Sequence, residues 1–138
     1  MTFKEKMAWL SVITTIVVWG AYFGFLLTTA RHLPGPGQFG GFIAAVIVQT
    51  GLVTVGAIVS AVLSPRDAGA ESDERDKAVS RRAYAFAYPV LLSLIVCVAA
   101  SMHFGMDARG MTYEIMASIV IAEIVHYGAQ IVGYRRGA

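Results

Sequence analysis

Three side chains near the C-terminus have types and spacing suited to proton or cation chemistry. Glu123 is followed by His126 and Gln130. Residues i, i+3 and i+7 share one face of an α-helix. A carboxyl and an imidazole one turn apart can share a proton, hold a cation or bond to a neighbouring helix. Glu-x-x-His is also the spacing of di-iron helical bundles, which need two such motifs and two further carboxylates; this chain has one motif. Haem would need two axial histidines at one level, and His32, His103 and His126 fall at different levels. Cys97 is the single cysteine and lies in an apolar run. It excludes an internal disulfide and a cysteine-based metal site. No metal and no cofactor are expected. The sequence shows no nucleophile–base–acid set, phosphate loop or nucleotide fingerprint, so no catalytic residues are assigned and an enzyme is not expected.

The elements that position this triad follow from where charge is missing. The chain has 138 residues, 57% hydrophobic and 14% charged, against about 25% charged in a typical soluble domain. Ten of its twenty charged residues lie between Arg66 and Arg82. The remainder forms four apolar stretches, about 8–30, 39–63, 83–105 and 112–134. Each is long enough for a hydrocarbon core that needs about 20 helical residues. Lipid offers backbone groups no partner, so these spans must be helices. The expected fold is all-α: one integral membrane four-helix bundle covering 1–138, with antiparallel neighbours. His32 to Gly37, with Pro34 and Pro36, is read as a breaker cluster. Ser64-Pro65 ends span two, and Gly105 to Gly110 is the last turn. Lys4, Lys6, Arg66, Arg75, Lys77, Arg81, Arg82, Arg135 and Arg136 would share one side, with only Arg31 and Arg109 on the other. Nine against two puts both termini in the cytoplasm. The first apolar run is too long for a cleaved signal peptide.

Helical rise then decides which polar groups can meet. At 1.5 Å per residue, Glu123 lies about 16 Å below the outer surface and Gln49 about 15 Å. Thr50 adjoins Gln49, and Ser93, Thr15 and Trp19 fall near that level. The expected intramembrane polar site is Glu123, His126, Gln130, Gln49 and Thr50. A buried acid costs about 2.5–3.5 kcal/mol on insertion scales, so it normally faces a partner and marks function. Two uses stay open: interhelical glue, or proton- or cation-coupled transport. Size and span count resemble small multidrug transporters, but those carry their essential acid in the first helix, and here it lies in the last. Gly20-x-x-x-Gly24 and Ala129-x-x-x-Gly133 are read as close-packing faces.

The charged segment 64–82 is the other candidate site, carried by Asp73, Glu74, Arg75, Asp76, Lys77, Arg81 and Arg82. Its five acids and five bases cancel. Ser72 is the expected N-cap of a helix running through Arg81 and Arg82 into span three. Asp73–Lys77 and Glu71–Arg75 are the expected i,i+4 pairs. Pro89 should kink that helix. Asp73-Glu74-Arg75-Asp76 followed by Arg81 or Arg82 resembles the D-E-R-(D/E)…R segment of small, uncharacterised bacterial four-helix inner-membrane proteins. Phe3-Lys4-Glu5-Lys6 with Trp9, and Tyr134-Arg135-Arg136-Gly137, are similar to that group as well. The resemblance implies a bacterial inner-membrane protein and brings no activity. The expected partners are the lipid bilayer, a second copy of the chain, and a cytoplasmic protein at residues 66–82. A net charge of +2 without a basic stripe argues against nucleic acid. The expected function is structural or partner-binding, with coupled transport through Glu123 as the alternative.

Overall fold

The computed structural model describes residues 2–29, 35–65, 69 and 73–136. Among them are four α-helices: α1 (Phe3–Thr28), α2 (Gly35–Leu63), α3 (Glu74–Ser101) and α4 (Ala108–Arg136). All four are long and apolar enough to cross a membrane. The chain divides into two compact units, residues 1–70 and 71–138, and each is an antiparallel helical hairpin.

In the first hairpin, α1 buries Ala8, Ser11, Thr15, Val18, Tyr22 and Leu26. Steps of three and four residues make this a single stripe. On the facing side of α2, glycines leave room for large α1 side chains. Gly56 sits against Leu10, and Gly41 against Tyr22 and Phe25. Toward the connection, Trp19, Tyr22 and Phe42 interlock, with Trp19 and Tyr22 edge-to-face at 5.7 Å and Trp19 and Phe42 at 5.9 Å. At the opposite end Lys6 Nζ donates to Ser64 Oγ, 3.1 Å. α1 covers little of the rest of α2: Gln38 and Ala45 are buried, while Val62 is 73% and Leu63 76% exposed.

In the second hairpin, Val79, Ala83 and Ala87 of α3 pack along Ala122, His126 and Ile131 of α4. Gly133 meets the Val79 side chain, so close that a methyl group there would stand 2.9 Å from Cγ1. The helices join through a 3-10 turn, Met102–Phe104. Gly105 then takes φ 84°, a left-handed conformation that glycine adopts without steric cost. Asp107 Oδ1 accepts from the Gly110 N–H at 2.9 Å, which satisfies one of the orphan donors opening α4.

Several expectations change. Gly35, Pro36 and Gly37 form the first turn of α2 instead of a breaker. Proline fits there because the first-turn N–H groups have no helical acceptor. Arg109 and Gly110 likewise belong to α4. The N-cap of α3 is Asp73, not Ser72: its Oδ1 accepts from the Glu74 N–H at 2.7 Å, and Asp76 Oδ2 accepts from the Asp73 N–H at 3.3 Å. Asp73 is thereby committed to the cap, and Lys77 pairs with Glu74 at 2.8 Å. Gly20 and Gly24 have open space where a Cβ would go, so they form no close-packing face in the first hairpin. Gly133 of the other small-residue pair does. Ala30 to Pro34, Arg66 to Ala68 and Ala70 to Ser72 lie outside the described residues, and with them Arg31, His32 and the Glu71–Arg75 pair.

Glycine 133 gives a direct test of the second interface. Gly133→Val forces its methyls onto the stiff Val79 side chain and should destabilise the protein by about 1–3 kcal/mol. Gly20→Ala should be neutral or stabilising by up to about 1 kcal/mol, because the site is open and alanine is the better helix former. Unfolding of the detergent-solubilised variants measures both.

Candidate functional site

Apolar helices leave few choices for a polar side chain: the carbonyls of its own helix or a group on the paired helix, and both are used here. Ser11, Thr14 and Thr15 are all buried on α1. The Thr14 hydroxyl reaches the Leu10 carbonyl at 2.8 Å, the usual way a helical threonine satisfies its proton. Its oxygen still has lone pairs. Gln49, half-buried on α2, uses them: Nε2 donates to Thr14 Oγ1 at 3.2 Å and to Thr15 Oγ1 at 3.0 Å. Gln49 Oε1 is buried without a partner. Thr50, the next residue, is exposed.

The second hairpin has two such polar contacts, one within α4 and one between its helices. His126 is 7% exposed. Its ring lies over Tyr84 of α3 at 4.2 Å and meets Tyr127 edge-to-face at 5.1 Å. Gln130 Nε2 and His126 Nε2 are 2.9 Å apart, so the glutamine amide donates to the ring nitrogen. That bond calls for the tautomer with its proton on Nδ1. Nδ1 is buried and has no partner. Nearer the turn, Ser101 Oγ donates to Glu114 Oε2 at 3.0 Å and also stands 2.7 Å from the Val98 carbonyl. One hydroxyl proton therefore serves two acceptors. Glu114 is a site residue that helical spacing alone does not pick out. The signal was available: Ser101 ends one span and Glu114 opens the next, across a short turn that sets them level.

Glu123 differs from all of these. It lies close to the middle of the 29-residue α4. Its neighbour Ala122 is buried, while Glu123 is exposed and has no hydrogen bond or ion pair among the described residues. The three-residue step to His126 rotates it off the face that the hairpin buries. The sequence correctly places His126 and Gln130 together. It does not foresee that His126 turns inward to Tyr84 and leaves the acid outside.

At the other end of this hairpin the charged residues are already helical. Arg75 Nη2 donates to the Tyr134 carbonyl at 3.0 Å. This supplies a cation where the α4 dipole is negative and carbonyls lack helical partners. Arg81, Arg82 and Lys77 are exposed. Among the described residues no group of three or more His, Cys, Asp or Glu side chains is placed to hold a metal.

Compared with known proteins, the chain matches no family model, no curated protein and no solved structure.

The Gln49 contact is open to a thermodynamic cycle. Thr14→Val combined with Thr15→Val strands the Gln49 amide and should cost about 1–3 kcal/mol. In a Gln49→Leu background the same pair of changes should cost distinctly less, because no buried donor is left behind. Equal costs in the two backgrounds would show that these hydrogen bonds contribute nothing.

Proposed function

We propose that this chain is an integral protein of a bacterial inner membrane, with both termini cytoplasmic, and that its role is structural or partner-binding, without catalysis. The exposed surface supports insertion. Phe39, Ile47, Val55, Phe86 and Val96 are all more than half exposed, a surface suited to hydrocarbon. Orientation rests on the excess of Lys and Arg at one end of the hairpins. Lys6 meets Ser64, and Arg75 meets Tyr134, so each hairpin brings both of its basic ends together. The topology is tested by single cysteines in a Cys97→Ala chain. Lys77→Cys and Arg136→Cys should resist an impermeant maleimide added to intact cells, and Arg109→Cys should react. The reverse pattern would invert the orientation.

One observation carries the partner-binding role. Gln49, His126, Gln130 and Glu114 are each engaged within their own hairpin, whereas the Glu123 carboxyl is exposed and has no partner among the described residues. In hydrocarbon such a group needs a donor from outside. We assign that donor to a partner helix, a second copy of this chain or another membrane protein, with the exposed Glu74–Lys77 turn offering a cytoplasmic contact to the same assembly. An interhelical hydrogen bond in a membrane is worth about 0.6–1.7 kcal/mol.

A second reading is favoured by that same free carboxyl: a proton or cation carrier in coupled transport. Glu123→Gln separates the two. Glutamine still donates and accepts, so cross-linked assemblies should keep near wild-type yield, while Glu123→Leu should lower the yield by about three- to eighteen-fold. Under the transport reading Glu123→Gln is already inert, and proton-driven uptake into vesicles is lost.

A further inference from the structure

At the basic end of the second hairpin a cleft of about 150 Å3 opens between α3 and α4. Its lining is divided by chemistry. Ala83, Phe86, Ala129 and Val132 supply apolar walls, and Arg82 and Arg136 stand over them. Both arginines are exposed, and neither has a hydrogen bond or ion pair among the described residues. Arg75 is occupied by the Tyr134 carbonyl, and Lys77 by Glu74. Arg81, Arg82 and Arg136 have no hydrogen bond or ion pair among the described residues, and of these Arg82 and Arg136 line the cleft and are placed for an external anion. Along the helices Phe86 lies one turn beyond Arg82, and Val132 one turn before Arg136. The charged pair sits at the outer mouth and the apolar walls run toward the helix interior.

We propose that this cleft binds one anionic glycerophospholipid, its phosphodiester held between Arg82 and Arg136 and the upper part of an acyl chain lying against Phe86 and Val132. A guanidinium presents a planar fork of donors that matches phosphate oxygens. Basic clefts between membrane helices on the cytoplasmic side are suited to anionic headgroups. The walls decide between a lipid and a free phosphate: a soluble anion would gain nothing from Phe86 and Val132, whereas an acyl chain buries them. The proposal rests on membrane insertion with the basic ends at the cytoplasmic leaflet.

The test uses the full chain reconstituted in phosphatidylcholine nanodiscs, titrated with phosphatidylglycerol and read by native mass spectrometry for retained lipid. One phosphatidylglycerol per chain should be retained in preference to phosphatidylcholine. Arg82→Gln with Arg136→Gln should weaken retention by about five-fold per arginine removed, and Arg81→Gln should leave it unchanged. Val132→Ser should weaken lipid retention through the wall alone. Inorganic phosphate at millimolar concentration should not displace the lipid; displacement would mean the arginines bind a soluble anion and would overturn the proposal. Equal retention of the two lipids, or a double variant that binds as wild type, would also overturn it. Carbonate extraction of the same variants separates the premises. A chain that stays in the membrane but shows no lipid preference refutes the cleft alone, and one that is extracted refutes insertion.

Discussion

A polar side chain on an apolar helix depends for its hydrogen bonds on the carbonyls of its own helix, as Thr14 and Ser118 do, or on the helix packed beside it, as Gln49 does. That dependence organises both hairpins. Small residues at Gly41, Gly56 and Gly133 leave room for Tyr22 and Phe25, Leu10 and Val79 of the facing helix, and the fit leaves Gln49 within reach of two threonines and Ser101 within reach of Glu114. Packing and hydrogen bonding are therefore one constraint. A bulkier residue at a contact glycine would move the helices apart and break polar contacts several turns away.

The helices were legible from the distribution of charge: three runs hold no Lys, Arg, Asp or Glu, and the fourth, 112–134, holds only Glu114 and Glu123. Their ends were less so. Proline near Gly35 reads as a terminator by type, yet a first-turn proline costs no hydrogen bond, so α2 begins earlier than the apolar run. The same logic misplaced the α3 cap by one residue: Ser72 and Asp73 are both good caps, and only Asp73 has Asp76 three residues ahead to return the bond.

Within the candidate site, spacing identified His126 with Gln130 because that pair is local to one helix. The direction in which Glu123 points was not legible. Helical periodicity groups i with i+3, but the steps are 60° apart in projection, and a stripe narrow enough to bury His126 against Tyr84 excludes Glu123. Which member of such a pair turns inward depends on the partner helix, here on the Tyr84 ring, and that is long-range information. Glu114 shows the opposite case: its partner was within reach of a one-turn connection and could be inferred from position alone.

The polar economy of the hairpins has a consequence for biogenesis. Gln49 finds Thr14 and Thr15, and Ser101 finds Glu114, all inside the hairpin to which each belongs. By the time residue 71 is polymerised, the first hairpin has every polar contact described for it, and the second needs only the turn at Gly105 to begin zippering. The two hairpins can therefore form one after the other as the polypeptide is made, because the amide donor of Gln49 and the hydroxyl of Ser101 each find a partner without leaving their own hairpin.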